Sequence, residues 1–255
     1  MHVVVDGAGP ALVLLHGWAM HGGIFAPLVD RLRERWTLHL VDLPGHGRAR
    51  DDARPLALAP LADSLASQLP RALWCGWSLG GLVALQVAQA HPSRVRGLAM
   101  LAAPPRFCRG DDWPAGMDPA VFAQFGTDLG RDFAGTLDRF LALEAHGSDH
   151  MRAELRTLRE QVHALGDPAP RALAEGLAIL HDADLRAGLR GLSMPSLWIG
   201  GRRDRLVSPA ALQAAAALAP RAGYVEIAGA GHAPFLTHAD AVAAALEAFA
   251  VTLAP

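Results

Sequence analysis

The stretch of sequence that decides the fold reads LWCGWSLGGLVAL and covers residues 73–85. An apolar run breaks at Gly76, presents Ser78 between two glycines, and resumes with an apolar pattern of helical period. This G-x-S-x-G pattern is typical of a strand, a strained turn and a helix, in which a Cβ at either flanking glycine would collide with a neighbouring element. Chance also produces the bare five-residue pattern, but the flanking strand and helix favour a nucleophile at Ser78. The backbone N–H of Leu79 and the positive end of the helix dipole would then receive an oxyanion.

Composition limits the size and class of the protein. The 255 residues, 51% of them apolar, fit one α/β domain with an insertion, or at most two small domains. The net charge of −2 gives no global reason to expect binding to nucleic acid or to an anionic membrane. Two cysteines cannot form a disulfide framework, and no apolar run reaches the length needed to span a membrane. These features predict a cytoplasmic protein.

Hydrophobic patterns along the chain alternate between strand and helix. Besides the strand before Ser78, strands are predicted at residues 3–5, 11–16, 36–42, 95–102, 196–200 and 223–227. Helices are predicted at residues 24–35, 58–69, 79–90, 209–218 and 235–253. Such alternation indicates βαβ units. The predicted fold class is therefore α/β, with a mostly parallel central sheet flanked by helices.

The alternation stops in the middle of the chain. From Pro104 to about residue 190 the pattern keeps a helical period and shows no convincing strand, and strands return afterwards. This indicates a helical insertion over one edge of a sheet that is built from both ends of the chain. The prediction is a core of residues 1–105 and 186–255 with a helical lid of residues 106–185.

A serine hydroxyl is a poor nucleophile at neutral pH, so Ser78 needs a base within hydrogen-bond reach. His232 is the predicted base because the small residues of AGAGHAP, residues 228–234, follow the last predicted strand and let the loop carry an imidazole over the sheet edge. The alternatives His46 and His91 are interpreted as residues that cap or line loops.

The base in turn needs a carboxylate to orient it. Asp204 is the predicted acid because it lies in the loop directly after the strand at residues 196–200. Asp182 and Asp184 are the competing carboxylates, since they lie where the insertion rejoins the core. For these two the plain alternative is a helix N-cap or a solvated hinge.

Two further sites are considered from local patterns. The turn at His16-Gly17-Trp18 follows an early strand, so the backbone N–H of Trp18 is predicted as the second oxyanion donor. His146 and His150 are four residues apart but lack a third ligand and the H-E-x-x-H pattern, which disfavours zinc.

These motifs together resemble the α/β-hydrolase fold family along the whole chain. The resemblance rests on residues 16–18, 42–48, 76–81 and 231–235. The order serine, acid, histidine along the chain is also the one that this fold uses. An aspartate would replace the serine in a haloalkane dehalogenase or an epoxide hydrolase, which disfavours both classes.

More narrowly, the chain is similar to the pimeloyl-[acyl-carrier protein] methyl ester esterase family of biotin synthesis. Residues 17–18 and 76–83 carry this similarity, and RFLALE at residues 139–144 is its more specific part. Residues 184–186, 192–195 and 232–235 strengthen it. The resemblance implies a serine carboxylesterase whose partner is an acyl carrier protein bearing a pimeloyl methyl ester. All of that chemistry is acyl transfer, so no metal or organic cofactor is expected.

The resemblance also implies roles for individual residues. Ser78, Asp204 and His232 would form the catalytic triad, and Trp18 and Leu79 would supply the oxyanion donors and line the substrate site. The acyl chain would be contacted from the lid by Phe140, Leu141, Ala142, Leu143 and Glu144. Gly135 stands where a relative carries another arginine, so one contact to the carrier is expected to be missing. The protein is expected to act as a monomer.

Arginines of the lid form a stripe on one predicted helix. Arg152, Arg156 and Arg159 share one helical face, whereas Leu155, Leu158 and Val162 point to the other. The plain alternative is a solvated face partly offset by Glu154 and Glu160. The resemblance favours a docking surface instead, because acyl carrier proteins are acidic and arginine binds carboxylates and phosphates. Arg139 is assigned to the same surface.

Two other functions stay open at this point. A broad carboxylesterase or thioesterase without a carrier partner would share the triad and differ only in the lid. A non-enzymatic ligand receptor of the hydrolase fold would keep the triad and turn over very slowly.

Overall fold

The computed structural model describes residues 1–253, and a seven-stranded sheet forms its centre. The spatial order of the strands is β1-β3-β2-β4-β5-β6-β7, and all neighbours are parallel except β1, which pairs antiparallel with β3. The strands are β1 (His2–Gly7), β2 (Ala11–Leu15), β3 (Thr37–Asp42), β4 (Ala72–Trp77), β5 (Val95–Leu101), β6 (Ser196–Gly201) and β7 (Ala222–Ile227). The predicted mostly parallel α/β sheet is confirmed.

Ten α-helices accompany the sheet within residues 1–253. They are α1 (Ala26–Leu32), α2 (Leu58–Gln68), α3 (Leu79–Ala90), α4 (Pro119–Leu129), α5 (Phe133–Ala145), α6 (Met151–Ala164), α7 (Pro170–Asp182), α8 (Pro209–Leu218), α9 (Pro234–Thr237) and α10 (Ala239–Val251). Among the helices that flank the sheet, α1 packs beside α10 and α2 packs beside α3. No helix in this described part of the chain is both long and apolar enough to cross a membrane.

The central strands are buried because helices cover both of their faces. Every residue of β4 is buried, and so are four of the five residues of β2. Such strands need no polar alternation, which explains the continuous apolar runs in their sequences. Parallel strands end at the same edge of the sheet, so the loops after β2, β4, β6 and β7 come together there.

Two predicted helices differ from the structure, one in where it begins and one in its continuity. The predicted helix 24–35 begins as a 3₁₀ turn at Gly22–Phe25, and α1 begins only at Ala26. The predicted helix 235–253 is interrupted at His238, whose φ of −131° and ψ of 42° end α9 and begin α10. A break of one residue cannot be predicted from apolar periodicity, because the apolar face continues on both sides of the break.

Four helices, α4 to α7, occupy the interval between β5 and β6. Helix α4 packs against α5 and α7, and α5 packs against α6. The lid helices reach the core at the strand ends, where the indole Nε1 of Trp18 donates a hydrogen bond of 2.9 Å to the carbonyl of Leu173 on α7. The division of the chain at residues 105 and 186 stays a prediction.

Candidate active site

The turn between β4 and α3 holds Ser78 in a strained backbone conformation. Ser78 has a φ of 53° and a ψ of −120°, in a region that residues with a Cβ rarely adopt. A Cβ on Gly76 would lie 2.2 Å from the carbonyl oxygen of Gly80, and one on Gly80 would lie 2.2 Å from that of Leu15. The two glycines therefore allow α3 to pack directly against β4 and the end of β2.

His232 and Asp204 form a buried pair at the same edge of the sheet. The distance from His232 Nδ1 to Asp204 Oδ2 is 2.8 Å, and both side chains are fully buried. The other carboxylate oxygen, Oδ1, accepts the backbone amides of Leu206 and Val207, each at 2.8 Å. Because both oxygens are held, the carboxylate can fix one ring orientation of His232.

Trp77 connects the Ser78 turn to the His232 loop. Its indole Nε1 donates to the carbonyl oxygen of His232 at 2.9 Å, and the two ring centroids lie 5.8 Å apart. A Cβ on Gly17 would lie 2.9 Å from the indole ring, so the turn after β2 also packs here. One tryptophan thus joins the elements that carry Ser78, His232 and Trp18.

Ser78 Oγ and His232 Nε2 are buried polar atoms that make no hydrogen bond within the described residues. The hydrogen bond between a serine and its base is often loose until substrate binds. The roles predicted for these two residues stay predictions.

Leu79 and Trp18 lie next to one another at this edge. Leu79 is the first residue of α3, a position at which a helix leaves its backbone N–H without an internal partner. A Cβ on Gly176 of α7 would lie 2.8 Å from Trp18 Cδ1 and 3.2 Å from Leu79 Cδ2. Both residues are fully buried under the lid. Their backbone donors stay the predicted oxyanion hole.

The lid segment 140–144 is only partly buried. Phe140 has no exposed surface, and its ring lies 4.3 Å from Trp18 and 5.2 Å from Phe125 between centroids. Leu141 and Glu144 are also buried, whereas Ala142 and Leu143 are partly exposed. Phe140 is thus the member of the predicted acyl-contact set that packs directly on Trp18.

The pKa of His232 is raised above its ordinary value of 6.5, because the effects of a nearby carboxylate together outweigh the effect of burial. Burial lowers the pKa, but the charge of Asp204 and its hydrogen bond raise it more. A carboxylate that stabilises the imidazolium is what a general base needs when it accepts a proton.

Glu154 differs from the sequence-based interpretation. The plain alternative for the arginine stripe places Glu154 on a solvated face, but only 1% of it is exposed. Burial raises the pKa of Glu154 to about 7 and that of Glu144 to about 8. Glu154 lies two positions from Arg152 and Arg156 and so falls on the inward face of α6, with Leu158 and Val162. Its position on that inward face was the signal that could have identified it.

The competing acids and histidines lie elsewhere. Asp184 pairs with Arg186 at 2.6 Å, and the exposed Asp182 lies 2.6 Å from His181. His91 ends α3 and lies 2.7 Å from Asp63. No group of three or more histidine, cysteine or acidic side chains within residues 1–253 is arranged to hold a metal ion.

The arginines predicted to dock a carrier protein are exposed, but some are already paired. Arg159 makes two hydrogen bonds to Asp138, at 2.6 and 2.8 Å. Arg139 pairs with Asp132 at 3.2 Å and with Asp128 at 3.4 Å. Arg156 lies 4.0 Å from Glu160, and Arg152 forms no ion pair with any residue in the described range. Arg152 and Arg156 are therefore the arginines of the stripe with the weakest ion pairing within the protein.

Comparisons with known proteins agree with this architecture. A family model described as alpha/beta hydrolase fold matches residues 10–239. A pimeloyl-[acyl-carrier protein] methyl ester esterase of Stenotrophomonas maltophilia (strain K279a) is 60% identical over 255 residues, covering 100% of this chain and 98% of the relative. The protein of the same name from Xanthomonas axonopodis pv. citri (strain 306) is 58% identical over 253 residues, covering 99% of this chain and 100% of that one.

Solved structures with lower identity share the fold. An enol-lactonase from Burkholderia xenovorans LB400 superposes with a TM-score of 0.85 at 23% identity, covering 98% of this chain and 96% of that one. An esterase from Exiguobacterium antarcticum gives a TM-score of 0.84 at 22% identity, covering 97% and 94%. The chain belongs to the alpha/beta hydrolase fold family, and within it to the same family as the pimeloyl-[acyl-carrier protein] methyl ester esterases of Stenotrophomonas and Xanthomonas.

Proposed function

We propose that the protein is a serine carboxylesterase that hydrolyses the methyl ester of pimeloyl-[acyl-carrier protein] in biotin biosynthesis. The observation that carries the proposal is the buried pair of His232 and Asp204 at the sheet edge where the strained turn presents Ser78. The substrate is inferred from the relatives at about 60% identity over the full chain, whose names state it.

In the first half of the reaction, Ser78 Oγ attacks the ester carbonyl carbon while His232 Nε2 accepts the hydroxyl proton. The backbone N–H groups of Leu79 and Trp18 stabilise the oxyanion. The tetrahedral intermediate collapses by breaking the bond to the methoxy oxygen, which receives the proton from His232 and leaves as methanol. Asp204 stays ionised and stabilises the imidazolium.

In the second half, water attacks the acyl-serine. His232 accepts a proton from the water, and the new tetrahedral intermediate breaks its bond to Ser78 Oγ as His232 returns the proton to that oxygen. The products are the free carboxylic acid on its carrier and the regenerated serine.

The carrier protein would dock on the exposed arginines of the lid. Arg152 and Arg156 are available at once, whereas Arg159 and Arg139 would exchange their aspartate partners for acidic groups of the carrier. Exposed charges of this kind act mainly on the rate of association and its dependence on salt. We propose a monomer in the cytoplasm, a reducing compartment in which the two free cysteines, Cys75 and Cys108, stay unpaired.

The test compares methyl pimeloyl-carrier protein with free dimethyl pimelate as substrates of the wild type and of Ser78→Ala. We expect a large preference in kcat/KM for the carrier-bound ester, and a loss of about 10⁶-fold on both substrates in Ser78→Ala. Equal kcat/KM on both substrates would favour the broad carboxylesterase instead. Activity that survives in pure Ser78→Ala would exclude the serine mechanism.

A second part of the same experiment tests whether the exposed arginines of the lid dock the carrier protein. Changing Arg152, Arg156 and Arg159 together to Ala should lower kcat/KM for the carrier-bound ester at low salt and leave hydrolysis of a p-nitrophenyl ester near the wild-type rate. Salt should slow the wild type on the carrier substrate and affect the triple variant much less. An equal loss on both substrates would show instead that the arginines support the lid.

A further inference from the structure

Two acids of the lid are buried beside the loop of His232, and none of the proton-transfer and bond-breaking steps described above uses them. Glu144 on α5 has no exposed surface, and neither of its carboxyl oxygens has a hydrogen-bond partner among the described residues. Glu154 on α6 is almost as deeply buried. Burying a carboxyl group costs free energy unless it is hydrogen-bonded, so each position calls for a physical reason.

Glu154 bonds to the backbone after His232 and lies close to the residue before it. Its Oε1 accepts a hydrogen bond of 3.4 Å from the amide of Ala233, the residue after the histidine. The same oxygen lies 3.6 Å from the position that a Cβ on Gly231, the residue before the histidine, would take. A hydrogen bond from the Ser148 hydroxyl also favours the carboxylate form and lowers the pKa of Glu154 against the effect of burial.

The turn between α5 and α6 holds the same loops from a second direction. The amide of Asp149 donates to the carbonyl of Gly229 at 3.0 Å, and the Asp149 carboxylate pairs with Arg203. Arg203 directly precedes Asp204 in the chain. This turn is therefore bonded to the loop of the predicted base and to the loop of the predicted acid, and Glu154 lies on the helix that follows it.

We propose that Glu154 is a positioning residue for the reaction: by accepting the Ala233 amide it fixes the peptide after His232 and hence the reach of the imidazole toward Ser78. The proposal rests on the serine mechanism proposed above. Glu154 itself touches no reacting atom. Asp204 fixes the rotation of the ring, and Glu154 fixes the backbone from which the ring extends. A misplacement of about 1 Å at such a point can cost on the order of 10²-fold in rate.

The test uses a small p-nitrophenyl ester, which needs no carrier protein. Glu154→Ala removes the acceptor and should lower kcat by about 10- to 100-fold while KM stays within about twofold. Glu154→Gln keeps an oxygen at the same reach and should restore kcat to within about threefold of wild type. Glu160→Ala, a change of a 67% exposed acid on the same helix, is the matched control and should leave kcat unchanged.

A role in folding alone gives a different result. It would lower the melting temperature of Glu154→Ala with wild-type kcat per folded molecule, and that outcome would overturn the proposal, as would a folded Glu154→Gln that stays as slow as the alanine variant. If Glu154→Ala does not fold, Glu154→Asp, which shortens the reach by one methylene, should show the fall in kcat, and a wild-type kcat there would overturn the proposal.

Ser78→Ala assayed on the same ester separates this proposal from the proposed function. Activity that survives in Ser78→Ala overturns the serine mechanism and the positioning role with it. An inactive Ser78→Ala together with a fully active Glu154→Ala overturns only the positioning role.

Discussion

At the scale of single residues, His232 depends on a balance between burial and charge. A fully buried imidazole resists protonation, and the charge of Asp204 at 2.8 Å reverses that preference. In the proposed mechanism His232 must be neutral to accept the proton of Ser78. Activity should therefore fall as the pH drops through the pKa of His232, which lies above the ordinary 6.5.

The variant Asp204→Asn tests this balance. Asparagine can still accept the amides of Leu206 and Val207, so the loop should keep its structure. Loss of the charge lowers the pKa of His232, so the acid limb of the kcat/KM profile should move to lower pH. The plateau should fall by on the order of 10⁴-fold, as in serine proteases that lose this carboxylate. Asp184→Asn is the control, and a larger loss there than in Asp204→Asn would refute the assignment of the acid.

The sequence allowed these residues to be proposed because each signal is local. Ser78 lies between glycines, and His232 and Asp204 each follow a predicted strand, so parallel strands alone imply that they share one edge. The helical position of Glu154 indicates only that it faces inward, and its contact was missed because the partner, Ala233 in the loop of His232, is 79 residues away in the chain. An acidic residue near two arginines is interpreted as exposed unless the element that packs against the inward face of its helix is known.

At the scale of elements, prediction from sequence succeeded where the local signal and the packing agree. The prediction for α3 begins and ends at the observed residues, 79 and 90, and so does that for α8 at 209 and 218. Pro209 at the first position of α8 and the Ser208 side chain, which caps the Ala211 amide, mark its start in the sequence itself. The break at His238 has no such mark.

Helix α7 packs closely against Trp18 at Gly176, whereas Gly126 in α4 has open space around it. Alanine substitutions at these two glycines form a matched pair of variants. A Cβ at Gly176 would lie 2.8 Å from the indole of Trp18, whereas a Cβ at Gly126 in α4 would meet nothing within 4 Å. Alanine favours a helix over glycine by about 1 kcal/mol. Gly126→Ala should therefore raise the melting temperature without changing kcat. Gly176→Ala should lower both, because it pushes α7 against Trp18 and Leu79.

Thermal unfolding and esterase kinetics of the two glycine variants measure this contrast. An unchanged kcat in Gly176→Ala would mean that α7 can shift without moving Trp18. Equal gains in melting temperature for both variants would show that the close contact at Gly176 relaxes at no cost.

At the scale of the whole molecule, two sets of buried ionisable groups act on stability in opposite directions. Glu144 and Glu154 hold their protons in the folded protein up to about pH 8 and 7, whereas unfolded glutamate loses its proton near 4.5. Burial lowers the pKa of His16 to about 3 and that of His46 to about 4, below the 6.5 of unfolded histidine.

The sign of each effect follows from proton linkage. Between pH 4.5 and 8 the folded state holds more glutamate protons than the unfolded state, so rising pH removes stability. Between pH 6.5 and about 3 the unfolded state holds more histidine protons, so falling pH removes stability. Each group contributes at most about 1.4 kcal/mol per pH unit in its window.

The melting temperature is therefore expected to be highest between about pH 4.5 and 6.5, where the two effects oppose each other. Above this range the glutamates and His232, whose pKa is raised, remove stability as the pH rises, against the amino group of Met1, whose pKa burial lowers to about 6. Below this range His16 and His46 remove stability as the pH falls, joined by carboxylates such as Asp42, whose pKa the fold lowers. Thermal unfolding from pH 4 to 8.5 at constant ionic strength measures this dependence of the melting temperature on pH.

Glu144→Gln keeps the shape of the side chain without its ionisation, so it should flatten the decline of the melting temperature above pH 6.5, whereas the exposed control Glu160→Gln should not. A melting temperature that rises steadily from pH 5 to 8, or a Glu144→Gln curve parallel to that of the wild type, would show that Glu144 is ionised at neutral pH in the folded protein.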